Sequence, residues 1–448
     1  MIDFLVIGGG MAGILGASYL SDDYKTTVIE RLPIEQVGEN IWGIMNEKAF
    51  RGIVREFGME DIDRALFFDY IQIHDCDGRV LVEYNLPLVA VKVGYIHKAM
   101  LKTFDGFCLR EKISATKLIE KGGIVIKVGL EGKKHEAATF RHLIDASGFS
   151  LFTSKKNMIR ERHYLFGHNI YKFFQSSIRD IHTDVDKAML HLVMCDVYTP
   201  GGFSVTFFNK NNAIVCGFYN EYMSKIPASE RVNYIKNSLG ILGILYETHM
   251  WRIPMCHPLV DVAYGNIFLL GASTLSIYPK FTSGVVHNMD LTKGMITQLI
   301  RIINEQDDIS HAGYVYTQSY IYNHIYRGLV NDIIRLLLLT MRSSEIEEVM
   351  NIVIGFIKDL SKEKVSILDI PNMATFASKF LGRPNVARII QKLMNTIIQL
   401  YLLLKDFPKD KNNLVEWSRE YNENYFSRVK DIVNSRLLSR VPISDLTK

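Results

Sequence analysis

Phe4-Leu5-Val6-Ile7-Gly8-Gly9-Gly10-Met11-Ala12-Gly13 stands near the start of the chain and decides how the rest is read. Four apolar residues in a row predict a short strand buried on both faces. Gly8, Gly10 and Gly13 fill the glycine positions of G-x-G-x-x-G, and the spacing of Ile14, Leu15, Ala17 and Leu20 predicts a helix behind them. Gly8 permits the tight turn, Gly10 lets backbone approach a diphosphate, and Gly13 lets helix and strand pack closely. Amides at the helix start, from Met11 and Ala12, would face the anion. A second strand, Thr26-Thr27-Val28-Ile29, ends on Glu30, where a carboxylate takes ribose hydroxyls, with Arg31 beside it. Glycine-rich turns also end strands that bind nothing. Strand, glycines, helix, strand and acid in this order make a dinucleotide site the expectation.

The bulk composition narrows the class. At 448 residues the chain has room for roughly two or three domains. Hydrophobic residues make up 48%, enough for a large core and too many for a disordered chain. The 52 basic and 48 acidic residues nearly cancel, which argues against a nucleic-acid partner. Five cysteines, Cys76, Cys108, Cys195, Cys216 and Cys256, form no C-x-x-C pair, so reduced thiols and no metal site are expected. No signal peptide is read at the start, and the apolar tracts 336–339 and 397–404 are too short to span a membrane. A cytoplasmic protein is expected, with peripheral contact at a membrane surface left open.

Residues 31–43 read as a loop and 46–57 as a helix. Tyr70–His74 and Arg79–Tyr84 flank Asp75-Cys76-Asp77-Gly78, which predicts a hairpin with an Asp-Gly turn. A helix is expected over 97–104, then strands up to Asp145-Ala146-Ser147-Gly148. Residues 160–260 are strand-rich, with Phe203–Phe208, Ala213–Tyr219 and a helix near 229–239. Gly265–Gly271 reads as another buried strand. Its loop leads through Pro279 to Thr282-Ser283-Gly284 and a helix, and helical periodicity runs from about residue 300 onward.

These motifs together resemble a known family. Gly8 to Glu30, Asp145-Ala146-Ser147-Gly148 and Gly271…Pro279…Gly284 are similar to the three FAD motifs of the hydroxybenzoate-hydroxylase fold. The insertions resemble its geranylgeranyl reductase branch, the archaeal digeranylgeranylglycerophospholipid reductase-like flavoproteins that saturate isoprenoid chains. Thr199-Pro200-Gly201-Gly202-Phe203 is similar to that branch's motif before its aromatic substrate strand, and Leu381-Gly382-Arg383-Pro384 and Trp417-Ser418-Arg419 resemble its helical tail. The fold class implied is α/β, α+β overall: a Rossmann-like FAD-binding domain, an antiparallel-sheet substrate domain and a helical C-terminal region. The expected division is FAD-binding at 1–64, 97–158 and 262–300, substrate domain at 65–96 and 159–261, and helical domain at 301–448.

The chain also departs from that family. Its Gly-Asp at the third motif is here Gly271-Ala272, and one glycine remains in Lys280-Phe281-Thr282-Ser283-Gly284. Trp42 replaces a cysteine before the retained Gly43, and Lys98 replaces an arginine that faces the flavin. The resemblance implies FAD as cofactor, a polyprenyl lipid or quinone as substrate, and an external electron donor, ferredoxin-like or nicotinamide-dependent. Trp42, Tyr278 and His287 are the catalytic candidates, although a lone tyrosine or histidine is more often structural. Phe203, Val205 and Phe207 are candidates for a prenyl-binding wall, an alternation that core packing explains about as well. Lys155, Lys156, Arg160 and Arg162 form a basic run suited to an anionic headgroup or to plain solvation. Two rival readings are a flavin-dependent hydroxylase of the same fold and a lipid- or partner-binding paralogue without redox turnover.

Overall fold

The structure is a computed structural model of the whole chain. It describes residues 1–60, 64–132, 135–148, 170–221, 223–254, 260–274, 284–305, 308–325, 336, 340, 345 and 384–437.

In chain order the elements are β1 (Ile2–Ile7), α1 (Met11–Ser21), β2 (Thr26–Glu30), β3 (Trp42–Asn46), α2 (Glu47–Glu56), β4 (Leu66–His74), β5 (Val80–Lys92) and α3 (Val93–Thr103). There follow β6 (Cys108–Glu111), β7 (Ser114–Lys121), β8 (Ile124–Glu131), β9 (His135–Asp145), β10 (Ile170–His182), β11 (Leu190–Val193), β12 (Phe203–Asn209) and β13 (Asn212–Asn220). Then come α4 (Ala228–Ser238), β14 (Leu242–Pro254), β15 (Ala263–Tyr264), β16 (Ile267–Leu269), α5 (Gly284–Glu305), α6 (Ile309–Tyr320), α7 (Pro384–Lys405) and α8 (Leu414–Leu437).

The strands form two eight-stranded sheets. In the first, β16, β9, β1, β2 and β6 run parallel, and β7 and β8 extend from β9 as an antiparallel meander. Phe4, Leu5, Val6, Leu143, Ile144, Phe268 and Leu269 have no exposed surface. That explains why these strands read as apolar runs rather than alternations: helices and the meander cover both faces. Burying each such side chain contributes about 1.5–3 kcal/mol before entropy is charged.

Asn266 ties the centre of this sheet to its meander. Its side chain donates to Val125 O (2.8 Å) and Arg141 O (2.7 Å) and accepts from Val125 N (2.9 Å). Its main-chain oxygen accepts from Leu143 N at 2.9 Å.

The second sheet has the order β14-β10-β13-β12-β11-β4-β5-β3, antiparallel except for β11 beside β4. One face joins the main core through Phe203, Val205 and Phe207. The other packs Phe208 and Val215 against Val232 and Ile235 of α4. The strict alternation along β12 therefore reports two buried faces, not one buried and one wet.

The structure revises two expected elements. The 31–43 segment contains a one-turn 3-10 helix, Ile34–Gln36, and its end is strand: Trp42 and Gly43 pair with Lys92 and Val91 of β5. The β-branched and aromatic content there is outweighed, in a reading by turn residues, by Pro33, Gly38 and Gly43. The helix expected at 97–104 begins four residues earlier, at Val93. The hairpin turn at 75–78 is as read, with Gly78 at φ +81° and Asp75 accepting from the amides of Asp77 and Arg79.

Helix α6 seals the far edge of the first sheet: the Tyr316 hydroxyl donates to Leu269 O at 2.8 Å. In the tail, Pro384 opens α7, where its missing N–H costs nothing. Trp417 of α8 donates to Leu403 O of α7 at 3.1 Å and packs edge-on to Phe407. Leu381, Gly382 and Arg383 lie outside the described residues. No helix among the described residues is long and apolar enough to cross a membrane.

Candidate functional site

A cleft of about 440 Å³ opens where β1, β2 and β9 end. Gly8, Gly10, Glu30, Arg31, the 36–41 segment and Ala146-Ser147-Gly148 line it, and β14 of the second sheet adds His249 and Trp251.

The glycines divide into two kinds. Gly8 has φ +107°, and a Cβ there would sit 2.4 Å from Ala146 O. A Cβ on Gly13 would fall 1.8 Å from Gly8 O. Both are demanded by the protein's own packing. At Gly10 a Cβ would meet no heavy atom within 4 Å, although Gly10 lines the cleft. The open space there adjoins the start of α1.

Gly9 was not singled out in the sequence, yet it is constrained too. A Cβ on it would lie 2.9 Å from the Glu30 Cβ. The unbroken Gly8-Gly9-Gly10 run was its signal, since the fingerprint itself leaves the middle position open. Without that Cβ, Glu30 tucks under the loop, only 8% exposed. Its Oε2 accepts from Gly9 N at 2.7 Å and its Oε1 from Leu32 N at 2.9 Å. A carboxylate has about four acceptor positions, so about two remain for hydroxyls in the cleft.

Beneath the loop lies His97, also missed in the sequence and 1% exposed. Burial pushes its pKa below the ordinary value, against the pull of the Gly9 carbonyl and Glu30. The neutral ring donates from Nε2 to Gly9 O at 2.7 Å. A histidine inside an apolar helix face carries no sequence sign of this contact.

The second motif is stitched to the third. Asp145 is fully buried, and its Oδ1 accepts from Ser147 N (3.0 Å) and Ser147 Oγ (2.6 Å). The Ser273 hydroxyl reaches the same oxygen at 3.4 Å and accepts from Gly148 N at 3.0 Å. Asp145 thus shapes the turn from behind, while Ala146, Ser147 and Gly148 present themselves to the cleft. Gly271, at φ +61°, packs on Ala12: a Cβ would lie 2.4 Å from the Ala12 Cβ. Ala12 and Met11 of α1 are half-buried, and so is Ala272 in the 3-10 turn Gly271–Thr274.

Tyr278 and Ser283 lie outside the described residues, as do Lys155, Lys156, Arg160 and Arg162. Gly284 is exposed at the start of α5, and His287 is half-buried one turn later. Val285 packs where Gly43 has no side chain, 3.2 Å from a Cβ position there. Lys98 is exposed and approaches the cleft only through Glu39, 4.0 Å from its ammonium.

Trp42 faces the core between the sheets. It is 9% exposed and meets Phe207 edge-on at 5.4 Å, and Phe68 meets the same ring at 6.0 Å. Gln175 of β10 fixes this approach, accepting from Trp42 N at 2.9 Å and donating to Asn40 O at 2.5 Å. Phe203 and Val205 are also buried, at 5% each.

No family model matches the chain, and no curated protein matches its sequence. Solved structures do match its fold. A geranylgeranyl bacteriochlorophyll reductase-like protein from Thermoplasma acidophilum superposes with a TM-score of 0.67 at 17% identity, over 88% of this chain and 99% of that one. The chain has the flavoprotein oxidoreductase fold. A p-nitrophenol 4-monooxygenase from Pseudomonas putida superposes with a TM-score of 0.52 at 14% identity, over 78% and 94% of the two chains. A flavin-dependent brominase gives 0.54 and 13%, over 75% and 87%.

Proposed function

We propose that the cleft holds FAD and that the protein is an FAD-dependent reductase saturating double bonds in the isoprenoid chain of a polyprenylated lipid or quinone. The observation that carries the cofactor assignment is Gly10. Its neighbours Gly8, Gly9 and Gly13 are glycine for packing, whereas Gly10 borders empty space beside a carboxylate with acceptor positions to spare. These residues fit the ADP half of FAD: Glu30 for ribose hydroxyls, Gly10 and the amides of Met11 and Ala12 for the diphosphate. Ala146, Ser147, Gly148 and the start of α5 at Gly284 would border the rest of the cofactor.

Bound there, FAD would supply the hydride equivalent that no side chain can. The protein's part is shape and polarity. The backbone start of α5 presents the positive end of a 22-residue helix, which suits an anionic edge. Trp42 and Phe207, edge-on at 5.4 Å, would offer aromatic surface to an apolar chain. Tyr278 and His287 remain the candidates for delivering a proton. The reductase reading draws on the fold likeness that spans nearly the whole chain and on Thr199-Pro200-Gly201-Gly202-Phe203. That turn is tightly built: Thr199 N donates to Cys195 O at 2.7 Å, Gly202 N to Thr199 O at 2.9 Å, and a Cβ on Gly202 would lie 1.9 Å from Phe218 O. Electrons would come from a separate donor, a ferredoxin-like protein or a nicotinamide.

Purified protein incubated with FAD, a chemical reductant and a polyprenyl phospholipid without oxygen should yield a product heavier by two hydrogens per bond reduced. Product that forms only with oxygen would replace the reading with hydroxylation. Flavin binding without turnover on any polyprenyl substrate would leave the binding paralogue.

A further inference from the structure

Away from the cleft, the hairpin turn between β4 and β5 meets the turn that follows β11. Cys76 sits in the first and Cys195 and Asp196 in the second. Their two sulfurs and a carboxylate oxygen all lie within 4.8 Å of one another. The two cysteines are not joined in a disulfide.

The surroundings hold both sulfurs in place from behind. Cys195 is 2% exposed, and its carbonyl accepts from both the amide (2.7 Å) and the hydroxyl (2.9 Å) of Thr199. The amides of Val197 and Tyr198 face its sulfur. On the other side the Cys76 carbonyl accepts from the Tyr234 hydroxyl at 2.8 Å, and Tyr234 stacks on Tyr198 at 3.7 Å. Gly78 seats the hairpin tip on α4, with no room for a Cβ, which would lie 1.8 Å from Ser238 O. Cys76 and Asp196 are half-buried, so the cluster is closed on the core side and reachable from solvent.

We propose that Cys76, Cys195 and Asp196 form a binding site for a thiophilic divalent cation such as Zn²⁺. Bonds of about 2.3 Å to sulfur and about 2.0–2.2 Å to oxygen place the donors of a tetrahedral site less than 4 Å apart, within a small closure of the present arrangement. Two sulfur donors select against Mg²⁺ and Ca²⁺, which take oxygen. Binding exchanges two thiol protons for two metal–sulfur bonds, with Asp196 as third ligand and water completing the set. The metal would staple the β4–β5 hairpin to the turn that leads into Pro200-Gly201-Gly202 and β12. This site stands independently of the flavin reading.

The test is Co²⁺ titration of the reduced, chelator-treated full-length protein. Expected are a thiolate-to-cobalt charge-transfer band in the near ultraviolet and strong tetrahedral bands in the visible. They should saturate at one Co²⁺ per chain and be bleached by Zn²⁺. C76S and C195S should each lose the charge-transfer intensity of one sulfur or all binding, D196N should bind more weakly, and C108S should match the wild type. Thermal melts of each variant without metal establish that it folds; if C195S does not, C76S at its half-buried position carries the test. No charge-transfer band in the wild type, or an unchanged band in C76S, overturns the proposal. Rapid disulfide formation with no metal uptake would also overturn it and mark the pair as a redox dithiol.

Discussion

The end of the cleft proposed for ADP and the third motif, whose Gly271 and Ala272 lie outside the cleft's lining, obey different rules. At the first, the local packing is tight and specific. Gly8 and Gly13 are closed in by backbone, Gly10 is open, and Glu30 is held by two amides. At the second, Ala272 stands where the resemblance read from the sequence implies an aspartate, and Gly271 packs on Ala12. The contrast, on the proposed reading, is between contacts made by backbone and contacts made by side chains: amides at a helix start remain whatever residues carry them. The nucleotide end should therefore tolerate little substitution, whereas the third motif should have affinity to gain.

The largest effects belong to the glycines, and they separate folding from binding. Gly13→Ala drives a methyl into Gly8 O and should cost about 3 kcal/mol or more in stability, seen in denaturant unfolding. Gly10→Val should melt like the wild type and lose FAD affinity by at least about a hundredfold, since it fills the diphosphate's space from a position whose Cβ meets no heavy atom within 4 Å. A Gly10→Val variant that unfolds would erase the distinction between the two kinds of glycine.

Next comes Glu30→Ala, which removes a charged acceptor worth about 1.5–3 kcal/mol, or about ten- to a hundredfold in FAD affinity by titration. The same variant frees the Gly9 and Leu32 amides, so a modest loss of stability should accompany it. Loss of stability with unchanged FAD affinity would make Glu30 a loop anchor only.

Much of this was legible beforehand, for a physical reason. Strands β2 and β16, and β1 from Phe4 onward, are fully buried, and their glycine and acid termini are local in sequence, so short windows reveal them. The α/β class, the Asp-Gly hairpin and the β12–β13 pair follow from the same short-range patterns. The residues that escaped notice act at long range. His97 reaches Gly9 across 88 positions, Asn266 reaches Val125 across 141, and Gln175 holds Trp42 across 133. Polar side chains that bond distant backbone leave no periodic trace. Trp251 and His249 join the cleft only because the second sheet's edge strand folds over the first sheet, which no local window contains. Asp145 shows the converse: its place in the motif was legible, but not that its carboxylate turns inward to Ser147 and Ser273.

Acid should weaken the first sheet in a defined window. His142, stacked on Phe4 at 4.9 Å, has its pKa pushed down to about 4, chiefly by burial, with Arg141 adding and Asp3 opposing. Its folded-state value lies below the unfolded one, so the unfolded chain takes up the proton first. The stability it contributes is whole above the ordinary histidine value of about 6.5 and lost as pH falls toward 4, on the order of 1–3 kcal/mol. His142→Phe should flatten that part of the stability–pH curve. An unchanged slope would place the acid sensitivity elsewhere, for instance at the buried His74–His191 pair of the second sheet.

The smallest expected effect is a gain. Ala272→Asp should tighten FAD by about 1 kcal/mol, roughly fivefold, by adding an acceptor for a ribityl hydroxyl. The cost of desolvating the carboxylate keeps the gain partial. If affinity falls instead, Ala272 does not occupy the aspartate's place, and the third motif is not eroded but built differently.

Whether the space above Gly10 is a diphosphate site decides how the cleft works. Titrating FAD into the purified wild type and into Gly10→Val, followed by quenching of flavin fluorescence, tests this. The prediction is saturable binding of one FAD per wild-type chain and none in a variant with an unaltered melt. Equal binding by both proteins, or no binding by the wild type, would contradict it.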